Sequence, residues 1–233
     1  MTSERQYRQD ILRFGRLIHE RCYIAATDGN LSVRLDDNRI LSTPTAMCKG
    51  MMEPSDLVTV NMQGNRISGK RNVSSEIAMH LLIYRLRPDV RAIVHAHPPT
   101  ATGYAAAGLA LNQPLVSEVL IALGSIPLAA YGTPGTPELS DALAPLVPEH
   151  DAILMSNHGV VTYGEDLQLA YMRMETVEHF ARIALVTHML GKQQLLSSEE
   201  IQKLALCREK YVSAISHNQR DGNGKAPSMT RKR

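Results

Sequence analysis

Two hydrophobic periods alternate along this chain and divide it into elements. Ile11, Leu12, Phe14, Leu17 and Ile18 fall at helical spacing and predict an amphipathic helix over about residues 6–23. Leu31-Ser32-Val33-Arg34-Leu35 alternates as a strand does, Asp36-Asp37-Asn38 breaks it, and Arg39 to Thr43 returns as its partner. Leu57 to Val60 and Arg66 to Ser68 flank the turn Gln63-Gly64-Asn65 and predict a second hairpin. A helix is expected from Ser74-Ser75-Glu76 to about Leu86, with serine as its N-cap and Glu76 in its first turn. Arg87-Pro88-Asp89 stops it, and the apolar run Ala92-Ile93-Val94 predicts a short buried strand.

Further on, Thr100 to Gly108 reads as an alanine-rich helix, and Leu115-Val116-Ser117 and Ile126-Pro127-Leu128 as strand pieces. Glu138 to about Leu146 predicts a short helix, and Ala152-Ile153-Leu154-Met155 a buried strand running into Ser156-Asn157-His158-Gly159. A long helix over about Asp166 to Leu190 and a last one from Ser197 to about Ser216 complete the pattern. Hairpins in the first third argue against a doubly wound parallel sheet. With no internal repeat and no linker, residues 1–217 read as one α/β domain, and the basic segment 218–233 as an unstructured tail.

Composition narrows the functional classes. A hydrophobic content of 44% with 21% charged residues is that of a globular domain able to bury a core. A net charge of +2 supplies no field for nucleic acid or acidic membranes, and no apolar run reaches the roughly 18 residues of a membrane span. With no Trp and two Phe, an aromatic stacking platform is not expected. Cys22, Cys48 and Cys207 form neither a CxxC pair nor an even disulfide set, which fits a reducing, cytoplasmic compartment.

Candidate chemistry gathers where apolar strands end. His95 and His97 are two residues apart on one strand and so project to one face, and Pro98 and Pro99 end the ladder there. His158 closes a second apolar strand, with Gly159 letting the backbone turn close to it. Three imidazoles and one open position make a catalytic zinc pattern, whereas each histidine alone reads as an ordinary polar residue. His19, His80, His179 and His188 fall on helices, His150 in a loop and His217 in the tail, and are given structural or surface roles. Glu76 reads as a cap, a general base or a displaceable ligand, and spacing alone does not choose among these. Thr27-Asp28-Gly29-Asn30, Thr43-Pro44-Thr45 and Ser74-Ser75 carry the backbone NH groups and hydroxyls of an anion site, though singly each reads as a turn or a cap.

In this order, Thr27-Asp28-Gly29-Asn30-Leu31-Ser32-Val33-Arg34, Thr43-Pro44-Thr45, Ser74-Ser75-Glu76, Val94-His95-Ala96-His97, Tyr131-Gly132-Thr133-Pro134-Gly135-Thr136 and Asn157-His158-Gly159 resemble the class II aldolase/adducin-type family. The resemblance spans about residues 5–215. It implies a three-layer α/β/α fold around a largely antiparallel sheet, and a cyclic homotetramer. It places one Zn²⁺ on His95, His97 and His158, with Glu76 as acid/base and resting fourth ligand. The phosphate of a small sugar or hydroxyketone falls on Gly29, Asn30, Thr45, Ser74 and Ser75, with Thr27 at the edge. The implied reaction is aldol cleavage or formation, Glu76 moving a carbon-bound proton while the metal holds enediolate charge.

Three departures stand out, one on the phosphate side and two in the aldehyde half. Ala46 stands where the family's phosphate-side glycine would be, Glu118 where a tyrosine acts on the aldehyde, and Pro134 where a phenylalanine lines its pocket. Tyr211 matches the family's C-terminal tyrosine, which reaches the site from a neighbouring subunit. Sister activities on the scaffold are sugar-acid decarboxylation, epimerisation, dehydration and iron-dependent oxygenation, besides a metal-free binding domain. Epimerases carry aspartate at position 76, so Glu76 argues against that branch.

Overall fold

The computed structural model describes residues 3–208. Eight strands form one sheet: β1 (Asn30–Arg34), β2 (Ile40–Ser42), β3 (Val58–Val60), β4 (Arg66–Ser68), β5 (Ala92–Ala96), β6 (Leu128–Ala129), β7 (Ala152–Met155) and β8 (Gly159–Gly164). Their spatial order is β4-β3-β2-β1-β5-β8-β7-β6. Every neighbouring pair is antiparallel except β6 with β7. The helices are α1 (Glu4–Glu20), α2 (Ile77–Leu86), α3 (Pro99–Ala106), α4 (Ser117–Ala122), α5 (Pro137–Leu143), α6 (Leu167–Met189) and α7 (198–208).

Because side chains alternate across a strand, the sheet feeds two cores. Leu31, Val33, Leu41, Val94, Leu154 and Val160 pack with α1, α3, α4 and α6 on one face. Ile40, Val58, Ile93, Ile153 and Val161 pack with α2 and α5 on the other. This is the three-layer α/β/α arrangement implied by the sequence. Among the described residues, no helix is long and apolar enough to cross a membrane.

Several elements differ from their sequence reading. The run Val160 to Tyr163, to which the sequence pattern assigned no element, belongs to β8, which forms a hairpin with β7 through Asn157, whose φ is 55°. Asparagine tolerates that left-handed conformation, so Asn157 makes the reversal. Gly159 is needed for a different reason than a turn: a Cβ there would stand 2.5 Å from His97 Cδ2 and 2.6 Å from the Ala96 carbonyl. Leu115 to Ser117 is not a strand, and Ser117 instead opens α4, whose Val119 sits in the core together with its C-cap Leu123. Here the tertiary packing overrides a β-prone local sequence. The helix after Ser74 begins at Ile77, with Glu76 as N-cap and not in the first turn. Of the last predicted helix, 198–208 is present; Tyr211 and the tail lie outside the described residues.

α3 starts directly after His97-Pro98, so its anchorage bears on the histidines. Glu178 on α6 is 1% exposed and accepts from the backbone N–H of Thr100 (3.1 Å) and Ala101 (3.0 Å), and from Arg182 Nε at 2.9 Å. A buried carboxylate thus satisfies the open N–H groups and the positive dipole end of α3. Glu178→Ala is expected to cost at least about 1.5–3 kcal/mol, the range for hydrogen bonds to a charged group. Urea unfolding measures it, and a midpoint equal to the parent's would contradict this anchoring role.

Candidate active site

β5 lies between β1 and β8, and its register pairs His95 with Asn30 on one side and with Val161 on the other. His97, one residue beyond the strand, is tied by its N–H to the Tyr23 carbonyl at 2.8 Å. His158 comes from the β7–β8 hairpin. The three rings stack edge to face, with centroids 4.8 to 5.2 Å apart. Their facing nitrogens all lie within 4.8 Å of one another, and His95 Nε2 and His97 Nε2 approach to 3.1 Å.

Outer partners orient two of the three rings. His95 Nδ1 donates to the Val160 carbonyl at 2.9 Å, which directs its Nε2 lone pair inward. His97 Nδ1 lies 3.5 Å from Asp28 Oδ2, a pairing that turns its Nε2 inward too. Lone pairs aimed at one point repel unless a cation sits between them.

Glu76, 9% exposed, completes this set. Its side chain caps nothing on α2 and reaches the histidines instead, with Oε2 3.3 Å from His95 Nε2 and Oε1 3.0 Å from His158 Nε2. Oε1 is buried and has no aligned hydrogen-bond donor. Burial pushes the Glu76 carboxyl up, but the His95 and His158 imidazoles outweigh this and hold it well below the usual carboxylate range. Burial likewise lowers His95, and Glu76 more than restores it, so His95 stands above the ordinary histidine value. His97 is depressed to about 4 by burial and by the other two histidines. Three imidazole nitrogens and a carboxylate oxygen with no aligned donor form an N₃O donor set that fits a zinc-like divalent ion.

Behind Glu76 runs a buried polar chain that the sequence reading did not find. Asn30 Nδ2 donates to Glu76 Oε2 (2.8 Å), His80 Nε2 to Asn30 Oδ1 (2.5 Å), and Ser32 Oγ to His80 Nδ1 (2.7 Å), with Tyr84 OH 2.8 Å from Ser32. His80 is held neutral, its pKa lowered to about 3 by burial and then by the nearby His95. A signal was present: Glu76, His80 and Tyr84 recur every fourth residue, on one face of α2. Asn30 and Ser32 recur two apart, on one face of β1.

The sequence-derived anion residues come from three segments that meet beside Glu76. Thr43 Oγ1 accepts from Leu31 N (3.2 Å), Thr45 N donates to Asn72 O (3.1 Å), and Pro44 bridges Val73. Ser74 Oγ receives the Glu76 N–H at 3.3 Å. Thr27, Thr45 and Ser75 are exposed, Asn30 and Ser74 are buried, and Gly29 takes φ +68°. A Cβ on Gly29 would stand 2.8 Å from the His95 carbonyl, so the loop needs glycine to lie against β5. Ala46 adopts φ 53°, a conformation glycine takes freely and alanine at a cost of about 1–2 kcal/mol. Glu118 is exposed in the first turn of α4 and makes no hydrogen bond or ion pair to the histidines or Glu76. Pro134 lies in the loop before α5.

Residues 9–185 match the family model described as class II aldolase and adducin N-terminal domain, and the chain belongs to that family. It is 33% identical over 211 residues to a 3-oxo-tetronate 4-phosphate decarboxylase of Pectobacterium atrosepticum, covering 88% of this chain and 95% of that one. To a 5-deoxy-D-ribulose 1-phosphate aldolase of Bacillus thuringiensis it is 32% identical over 206 residues, covering 88% and 96%. A solved L-fuculose 1-phosphate aldolase superposes with a TM-score of 0.81 at 32% identity, covering 91% of this chain and 98% of that one.

Two substitutions test the metal reading from different sides. His95→Ala removes a nitrogen ligand, whereas Gly159→Ala leaves all ligands and displaces His97. Zinc affinity measured by competition with a chromophoric chelator is expected to fall in both, about 10- to 100-fold in Gly159→Ala. Affinity should also weaken as the pH falls through the raised pKa of His95, where a proton competes with the metal for its Nε2. Undiminished zinc binding in both variants would contradict the assignment.

Proposed function

We propose that this protein is a divalent-metal-dependent carbon–carbon lyase, of aldolase type, for a small phosphorylated ketose. The observation that carries the reading is Glu76: an anionic, buried carboxylate with one oxygen on which no donor is aligned, beside three convergent imidazoles. His95, His97, His158 and, at rest, Glu76 would hold the ion, with zinc as the proposed metal. Bound there, the ion would act as a Lewis acid on the ketone and favour build-up of enediolate charge.

The chain's own groups perform the proton transfer. Asn30 fixes Glu76 Oε2, so Oε1, which lies 3.0 Å from His158 Nε2 and has no aligned donor, is the oxygen proposed to take the proton from the carbon beside the carbonyl. In the cleavage direction the substrate hydroxyl gives its proton to the Glu76 carboxylate, the carbon–carbon bond breaks to release the aldehyde with its electron pair passing to the enediolate, and Glu76 then gives that same proton to the enediolate carbon. Thr27, Gly29, Asn30, Thr45, Ser74 and Ser75 are proposed to bind the phosphate. Glu118 and Tyr211 are proposed to serve the aldehyde half, Tyr211 from a neighbouring subunit of a homotetramer. A second reading is decarboxylation of a phosphorylated keto acid, supported by the 33% identity to the Pectobacterium decarboxylase. It passes through the same enediolate, with loss of carbon dioxide in place of the aldehyde, and Glu76 relays to the enediolate carbon a proton taken up from water.

Glu76→Gln keeps the size and removes the base. Deuterium exchange into dihydroxyacetone phosphate is expected to slow by about 10²-fold or more. An exchange rate equal to the parent's would remove Glu76 from the mechanism. The same zinc-loaded protein, offered L-fuculose 1-phosphate, 5-deoxy-D-ribulose 1-phosphate and 3-oxo-tetronate 4-phosphate, separates the two readings. Aldehyde release supports the first, carbon dioxide release alone supports the second, and turnover of none overturns both.

A further inference from the structure

Lys49 is among the largest fully buried side chains of the protein, with 2% of its surface exposed. Its Nζ donates to the carbonyls of Thr27 (2.5 Å) and Met47 (2.9 Å). Among the described residues no carboxylate lies within ion-pair distance of it. An ammonium has three protons, and two are used. Removing such a charge from water costs several kcal/mol unless an opposite charge answers it. Burial lowers the Lys49 pKa, and the more distant Asp28, Cys48 and Glu76 offset this only in part.

The two carbonyls place this charge. Thr27 belongs to the turn that carries Gly29 and Asn30, bent by left-handed backbone at Ala26 and Gly29. Met47 belongs to the turn that carries Thr45, bent at Ala46. Lys49 itself opens a short 3₁₀ turn, Lys49–Met51, packed on α1, where Gly15 leaves no room for a Cβ against the Lys49 carbonyl. The ammonium therefore ties together the two loops that carry Gly29, Asn30 and Thr45 among the candidate anion donors.

Resting on the phosphate reading above, we propose that Lys49 is the fixed positive charge of this anion site, answered by the substrate's phosphate. It sets the preference for a phosphate dianion over an uncharged ketose. The hydroxyls and backbone N–H groups then orient the phosphate, and the lysine selects for its charge.

Calorimetric titration of the full-length, zinc-loaded protein with inorganic phosphate, dihydroxyacetone phosphate and dihydroxyacetone tests this. Lys49→Met removes charge and donors together, while Lys49→Gln removes the charge and keeps an N–H for the carbonyls. Lys49→Gln is expected to weaken both phosphate-bearing probes by about tenfold or more, to leave dihydroxyacetone unchanged, and to retain zinc and the parent's melting temperature. Lys49→Met should do the same or unfold, in which case Lys49→Gln decides. Parental phosphate affinity in Lys49→Gln overturns the assignment and leaves the phosphate reading standing. Equal weakening of all three probes overturns it in favour of a purely structural lysine. An unmodified protein that binds dihydroxyacetone as tightly as its phosphate overturns the phosphate reading, and the role of Lys49 with it.

Discussion

The register of β5 between β1 and β8 is the constraint on which the candidate site depends. Opposite His95 stands Asn30 on one side and Val161 on the other, and the β7–β8 hairpin carries His158 in its turn. A slip of one residue would turn His95 into the helical layer of α1 and α6 and present Val94 or Ala96 to Glu76. The two cores forbid that slip. Val94 and Ala96 are buried against one set of helices and Ile93 against the other, so the apolar alternation that stabilises the sheet also aims the imidazoles. Fold stability and ligand geometry thus share one cause, the period-two pattern of β5.

Around that strand, charge is held by contrast of environments. Glu76 stays anionic in a buried place because two imidazoles face it, and its second oxygen is tied to a chain of neutral groups ending at Tyr84. His80 in that chain is neutral because nothing anionic touches it and burial disfavours its cation. Two histidines within one small volume therefore differ: His95 shares the field of Glu76, and His80 is separated from it by the Asn30 amide.

Much of this was legible in the residues. The strand ending in His95 and His97, the apolar strand before His158, and the early hairpins all follow from period-two patterns bounded by Pro, Gly and Asn. The order of the motifs carried the family. What escaped has physical reasons. β8, Gly159–Gly164, is flanked by glycines and buried on both faces, so it shows no alternation by which the pattern could set it apart from the hairpin turn beside it. α4 begins in β-prone residues, and only packing of Val119 and Leu123 selects helix. Ser74 looked like a helix cap, yet it receives the Glu76 N–H one step early, which frees Glu76 to turn toward the histidines. Lys49 carries no local signal of burial, because its loop is buried by α1, some 30 residues away in sequence.

The central claim is that three histidines and Glu76 form one metal centre. Zinc K-edge X-ray absorption of the protein purified without chelator tests it most directly. The account predicts a shell of three imidazole nitrogens and one or two oxygens at about 2.0–2.1 Å, with the multiple scattering of histidine rings and no sulfur. A sulfur-containing shell, or a six-oxygen shell without imidazole scattering, would contradict it.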